Sequence, residues 1–552
     1  MAGRAPSPSE LTGRHPVWCL DLDWGGRRFR LAEEPVDLTL PDGSVVAYVD
    51  ALSRPDVRDE IIREGIQESA SVPLAVFLDG VDVAAEVARN RRLESVRGEL
   101  FMVLVNNQGV SGQTFKQRFR YLTGRLSQPQ YADPQLPSSW LSFTLEDNAG
   151  DDSSLLLDDA AVITSTTWST APGTVAGKIY PVVIGAPGLY RKSSGALAKT
   201  SGSPAYVVAP ASGDATKLLI AGHQVEAATV LIFDESGLSQ SFAVTHEADG
   251  LGRVVAVVDI STPGSIEPAD REFWTCWDGG GALRSPFSTV AMSGLGDVCA
   301  WALARTSLRV DIQRWIAEGG ILNRIDIATY INEPGLSPWS FVTRLLESML
   351  VEVRSGPDGL FPQGRLLDVN AAEAMITLTE GAELEAVSPV TVRAQISEVI
   401  NRTAIRFAPR AKTGDYKRTV IVQADPDPDD PEAFSDEYAV ISVNRWSTDP
   451  ATPVIQAESI TLDFIYDDVS AALVARERVR VQGFGYSDCV FIGDVALGYL
   501  SPGEHIRLDS DRLARTGMVA EVISKRWTGE AWEFTLAIDV DPLRDSTTHK
   551  IG

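Results

Sequence analysis

The stretch Ser501–Pro542, SPGEHIRLDSDRLARTGMVAEVISKRWTGEAWEFTLAIDVDP, alternates apolar and polar residues. A turn at Pro502 and Gly503 leads into Ile506 and Leu508. Met518, Ala520, Val522 and Ser524 then share one side. After a three-residue turn at Thr528, Gly529 and Glu530 the chain returns as Trp532, Phe534, Leu536 and Ile538. A helix, with about 3.6 residues per turn, cannot keep such a set on one face; a strand, whose side chains repeat every two, does so automatically. The segment reads as a β-hairpin with one buried face. It supplies fold and no chemistry, since no nucleophile, base or ligand pair stands at its end.

The same short alternating runs, bounded by Gly, Pro and Asp, recur along much of the chain. At 552 residues several cores are needed, and 44 % apolar with 22 % charged residues is the composition of a globular protein. Three to five domains are expected. Residues 1–15, rich in Ser, Pro, Gly and Arg, read as an arm. VWCLDLDW, RRFRLA, VDLTL and SVVAYVDAL, with a turn at Pro41, Asp42 and Gly43, open a strand-rich unit. A short helix in VDVAAEVARNRRL and strands in VPLAVFLDG, ELFMVLVNN and TFKQRFRYLTGRL complete it. This predicts a small closed barrel over 16–125. Residues 126–176 read as a polar connection, 177–282 as a second β domain, 283–368 as an α-rich insertion, 369–393 as a linker or β segment and 394–552 as a C-terminal β-barrel. In the insertion, one helix is predicted to bury Val298, Ala302, Leu308, Ile312, Trp315 and Ile316. A second, capped by Ser337 with Pro338 in its first turn, is predicted to bury Phe341, Leu345, Met349 and Val353.

Charge and motifs exclude more than they propose. A formal net charge of −26 opposes wrapping a phosphate backbone; a salt-tolerant acidic surface is its plainer reading, and a wall that DNA passes without binding is the alternative. No apolar run is long enough to cross a membrane as a helix, and the first residues lack the apolar segment of a secretory signal, so a soluble chain made in a cytoplasm is expected. Cys19, Cys276, Cys299 and Cys489 are scattered and read as buried thiols. There is no nucleophile elbow GxSxG, no phosphate-binding loop and no HExxH. His15, His223, His246, His505 and His549 lie far apart. Asp21 with Asp23, and Asp467 with Asp468, read as strand and turn acids unless a fold sets two across a cleft. The run ADPDPDDPEAFSDE resembles a calcium loop through Asp425, Asp427 and Asp429, but Asp430 replaces the turn glycine and Asp436 the bidentate glutamate. Trp274 and Trp277 in REFWTCWDGGG read as a packed domain junction, with a sugar-stacking platform as the alternative.

Four segments carry a resemblance. VSPVTVRAQISEVINRTAIRFAP, with Asn401 to Phe407, DDVSAALVARERVRVQ, and LSPGEHIRLDS followed by GMVAEVISKRWTGEAWEFTLAI are similar in order and pattern to segments of the central hub proteins of tailed-bacteriophage baseplates and tail tips, also found in gene-transfer agents, and GKIYPVVIGAPG resembles a Pro-Val-Ile-Gly turn of related tail proteins. The resemblance implies a mainly β fold with an α-rich insertion, in which two tail-tube-like barrels per subunit build a homotrimeric ring of pseudo-sixfold symmetry. It implies a structural virion protein that adapts the sixfold tail tube to a threefold central fibre or spike. The distal tail protein and tape-measure protein would be further partners, and DNA would pass through the lumen without sequence-specific binding. It also implies a place at the tail tip or baseplate, assembled in the bacterial host cytoplasm. Some hubs of long tails hold an iron–sulfur cluster through closely spaced cysteines, and others are fused to peptidoglycan-cleaving domains. Neither feature carries over, so no catalytic, cofactor-binding or metal residue and no cofactor is expected. A receptor- or carbohydrate-binding tail protein, and less so a cell-wall hydrolase, are the competing readings.

Overall fold

In a computed structural model of the chain, the described residues run from 14 to 538, except 61–70, 82–95, 132–139, 147–153, 262–271, 278–282, 284–290, 365–375, 394–399, 424–437, 443–456 and shorter breaks. They are mainly strands, with a few short helices. Residues 1–13 of the expected N-terminal arm, the short helix near 81–93, Asn401 and the acidic run at 425–436 lie outside them, while Arg14 and His15, read as the end of the arm, begin a strand paired with Asn106 and Val105.

The first unit is a nine-stranded sheet built of β1 (Arg14–Trp24), β2 (Arg27–Ala32), β3 (Val36–Thr39), β4 (Val45–Asp50), β6 (Ser71–Phe77), β7 (Arg97–Asn106), β8 (Val110–Thr114), β9 (Phe119–Tyr131) and β10 (Trp140–Glu146); β5 (Arg58–Glu60) leaves it for another sheet. β1 sits between β2 and β7 and is buried on both faces, which is why PVWCLDLDW is almost continuously apolar. Val17 and Cys19 pack on one side with Val36, Leu38, Tyr48, Phe101 and Val103, beneath the β3–β4 hairpin. That hairpin turns at Asp42, which accepts the Ser44 N–H, and at Gly43, whose φ of +84° suits glycine. Trp18, Leu20, Leu22 and Trp24 face a larger core with Val72, Leu74 and Val76 of β6 and Leu141, Phe143 and Leu145 of β10. The sheet curls back on itself after β4. Ala51 and Leu52 donate to the carbonyl of Ala32, Phe77 donates to that of Ala51, and Ser53 donates to that of Ala75.

This sheet does not stop near Arg125. β9 continues to Tyr131, and β10 lies within the stretch read as a polar connection, yet pairs with both β9 and β6. WLSFTLE is itself a period-two pattern with Leu141, Phe143 and Leu145 inward, set in a neighbourhood so rich in Ser and Asp that composition concealed it.

Next come β11 (Val182–Ile184) and a seven-stranded antiparallel sheet whose strands run from Ser203–Ala209 to Phe273–Trp277. One of its faces buries Val207, Leu218, Val230, Val258 and Trp277, and the other covers Tyr206, Val208, Leu219 and Val257 with Ile163, Val175 and Tyr180.

The α-rich part holds α1 (Leu295–Leu303), α2 (Pro338–Leu346) and a hairpin of Val351–Gly356 with Gly359–Gly364. Ser337 caps α2 by accepting the Ser340 N–H, with Pro338 in its first turn, and Phe341, Leu345, Met349 and Val353 are buried. The expected single helix through Trp315 is shorter. α1 ends at Leu303, Thr306 Oγ1 then takes the Leu308 N–H, and Asp311 starts a new helical turn by accepting from Arg314. Val298, Ala302 and Trp315 are buried, Ile312 is 38 % exposed, and Ile316 lies outside the described residues. α3 (Asp468–Gln482) packs on a four-stranded sheet containing Arg402–Pro409 and Tyr416–Gln423. Ile405, Phe407, Val420 and Val422 of that sheet share one core with α1, α2 and α3.

The closing sheet combines Tyr486–Gly493, His505–Ser510, Arg515–Trp527 and Trp532–Ile538 with short edge strands. Its last turn has four residues between the paired Trp527 and Trp532, one more than expected. A bulge between Val522 and Ser524 reverses the alternation, so that Lys525 and Trp527 rather than Ser524 are buried with Ala520 and Val522. The strand at 402–409 and α3, expected to complete a barrel with this hairpin, instead pack with α1 and α2. The closing sheet packs on the first unit: Phe491, Ile506, Trp527, Trp532 and Phe534 share one core with Trp18, Leu20 and Leu100, and β5 pairs with Ser524–Arg526.

Candidate functional site

Among the described residues, the candidates with catalytic potential sit in separate neighbourhoods. The four cysteines are buried and unpaired with one another. Burial pushes the Cys299 thiol up, and burial beside Asp21 does the same for Cys19, which disfavours the reactive thiolate. His15 pairs with Glu34, whereas His223 and His246 accept backbone N–H groups from Val183 and Val225. Asp467 caps α3 through Ser470, and Asp468 binds the buried Arg418. Asp21 and Asp23 diverge in exposure, since Asp21 is buried and Asp23 is not. Among the described residues, no three His, Cys, Asp or Glu gather as a metal site. All five residues of FWTCW are buried, so Trp274 and Trp277 offer no open stacking platform. Trp277 Nε1 donates to Ser203 Oγ, and Lys412 from the turn after Arg402–Pro409 stands over the Trp274 ring at 5.4 Å. Ala411 and Lys412 also donate through their backbone to Ser201, so the cluster lies where two units meet.

A partly buried ionic group lies on β1 and β7, with Asp21 and Arg118 its buried members. Asp21 and Glu99 are direct cross-strand neighbours. Left alone, two such carboxylates would repel. Arg28 and the Tyr48 hydroxyl donate to Asp21, while Arg118 and Arg120 donate to Glu99. Arg118 stands over the Phe101 ring at 4.8 Å, and burial pulls its guanidinium down from its usual range. Burial, reinforced by Asp21, pushes the Tyr48 hydroxyl well up, so it stays a donor. The carboxylates are thus committed to fixing the β3–β4 flap and the start of β9.

The joint between the first unit and the closing sheet is the feature that sequence reading missed. Trp18 meets Tyr121 at 5.7 Å, Trp532 at 6.3 Å and Trp527 at 6.4 Å between ring centroids, all nearly edge-on. Lys525, 5 % exposed, donates to the carbonyls of Gly498 and Leu500 and lies 5.2 Å from the Trp532 ring. Trp527 and Trp532 flank the last turn in the sequence, a visible signal. Nothing local marked Trp18 as their partner.

No protein-family model matches the chain, and no curated protein does at a significant level. Among solved structures it is similar to a tail protein from Neisseria meningitidis MC58, at 10 % identity over 95 % of this chain and 97 % of that one, with a TM-score of 0.37. The 43 kDa tail protein of prophage MuSo2 from Shewanella oneidensis follows at 8 % identity, 94 % and 98 % coverage and a TM-score of 0.34. A chain of the virion of a native gene transfer agent particle matches at 12 % identity over 72 % of this chain and 91 % of that one, with a TM-score of 0.36. Scores this low do not establish a shared fold.

Proposed function

We propose that the chain is a structural protein of a phage or gene-transfer-agent tail, without enzymatic activity, and that within the tail it is the central hub. The observation that carries this reading is the union of the two ends of the chain. β5 adds to the closing sheet, and one core runs from Trp18 to Trp532, so two β modules are held in a fixed relation within each subunit. A ring with two modules per subunit needs that rigidity, because any play between them would spoil closure. Together with the order of segments shared with hub proteins, this supports a homotrimer that joins a sixfold tube to a threefold fibre or spike. It would contact the distal tail and tape-measure proteins and open a lumen for DNA at the tail tip of the virion. The net charge of −26 suits a channel that DNA traverses without binding. The competing carbohydrate-binding reading has lost its stacking platform to burial.

Electron microscopy of the chain co-expressed with tail-tube and distal tail proteins tests the proposal. Threefold rings at the end of a tube are expected. A chain that stays monomeric and unattached in that mixture overturns the hub assignment.

A further inference from the structure

Gly222 and His223 follow the strand Ala215–Ala221 and grip β11 along one edge. Gly222 N–H donates to the carbonyl of Pro181 at 2.8 Å, and Val183 N–H donates to His223 Nε2 at 3.0 Å. The other edge of β11 pairs with Thr329–Ile331. The two residues therefore stand in for a neighbouring strand, with one backbone bond and one from an imidazole. The approach is close enough to require glycine, since a Cβ on Gly222 would lie 2.7 Å from Tyr180 Cβ.

The hydrogen bonds fix the state of the ring. A backbone N–H can only donate, so His223 Nε2 carries no proton; Nδ1, 2.7 Å from the Gln224 carbonyl, carries the one proton of the neutral ring. Beyond it, Val225 N–H donates to His246 Nε2 at 3.1 Å, so that nitrogen too is unprotonated. The stretch 222–225 is thus held at both ends by nitrogens that accept only while neutral. Burial holds His223 below the ordinary histidine range, and a positive charge on His246 acts in the same direction. Around them, Glu247 next to His246 is paired with Lys217, Tyr180 beside Gly222 donates to Asp249, and Glu226 follows Val225 in the chain.

β11 is also where two cores meet. Val183 packs in the core of the seven-stranded sheet and the adjacent Ile184 in the core of the α-rich part. We propose that Gly222–Val225 is an acid-released latch on this joint: protonation of His223 and His246 turns two acceptors into donors that face backbone N–H groups, and the edge of β11 keeps only its Gly222–Pro181 bond.

Hydrogen exchange of the full chain at about pH 7 and about pH 4.5 tests the latch, with rates corrected for the intrinsic effect of pH. Peptides covering 181–184 and 222–226 are expected to lose about tenfold or more of their protection in acid, while the closing hairpin keeps its own. The double variant His223→Gln and His246→Gln, whose amide oxygens accept without titrating, is expected to lose less than about twofold. Equal acid loss in wild type and variant, or wild-type protection unchanged in acid, overturns the proposal. Should the variant fail to fold, nitrogen NMR of labelled histidine in the wild type decides: a His223 Nε2 still unprotonated at about pH 4.5 overturns it, and protonation coinciding with loss of Val183 protection sustains it.

Discussion

Trp527 and Trp532 face each other across the last turn with ring centroids 5.0 Å apart, and the edge of Trp18 closes over both from the opposite end of the chain. The indole N–H groups of all three are buried without partners, so the contact is one of shape and apolar area. Trp532→Ala should cost about 3–5 kcal/mol. Urea titration followed by limited proteolysis would show it, with β1 and the closing hairpin becoming protease-sensitive together. Loss of the hairpin alone would contradict a common core.

Lys525 is buried because the bulge after Val522 turns it inward, where two carbonyls and an aromatic face receive its ammonium. Lys525→Met keeps the volume but leaves those carbonyls short of a donor. A loss of about 1–3 kcal/mol in chemical denaturation is expected.

Ser337 supplies the side-chain oxygen at the start of α2. Ser337→Ala should lower stability by about 1 kcal/mol, whereas Ser337→Asp should stay within about 0.5 kcal/mol of wild type. The pair of denaturation midpoints separates capping from packing, since Asp does not restore the shape of Ser.

Asp249 carries a pH dependence of defined sign. Burial alone would raise its pKa, but N–H groups of Arg253 and Leu251, the Tyr180 hydroxyl and the Arg253 guanidinium more than offset this, and the net shift is downward. Its contribution is therefore present above the unfolded carboxylate pKa and lost as pH falls through the folded one. In Asp249→Asn the melting temperature should drop at neutral pH and converge on wild type in acid. A gap that does not narrow as pH falls would exclude the linkage.

Local periodicity made most strands legible, and Ser337–Pro338 announced α2 with its buried residues. The failures share one physical origin. The alternation from Met518 puts Ser524 on the buried side, but the bulge after Val522 is set by the strand alongside and leaves no signal in the sequence. β10 was hidden because strand pairing depends on Leu141, Phe143 and Leu145, while composition averages them with the acids around them. The partnership of Arg402–Pro409 with α3 and α1, rather than with the closing hairpin, was invisible because nothing local specifies which sheet receives a helix. FWTCW was legible as a junction, but Lys412, its cationic neighbour, lies far along the chain.

The shared core of Trp18 and Trp532 also sets a timetable for synthesis. The two residues are more than five hundred positions apart, and at roughly 5–20 residues per second a ribosome needs about half a minute or longer to pass between them. From the completion of β10 until the last strands emerge, the first sheet exists without the closing sheet that covers Trp18, and the open edge that accepts β5 has not been made. The nascent chain must therefore shield an unfinished apolar surface until its last strands emerge, so a truncated product should be more prone to aggregate than its folded fraction would suggest.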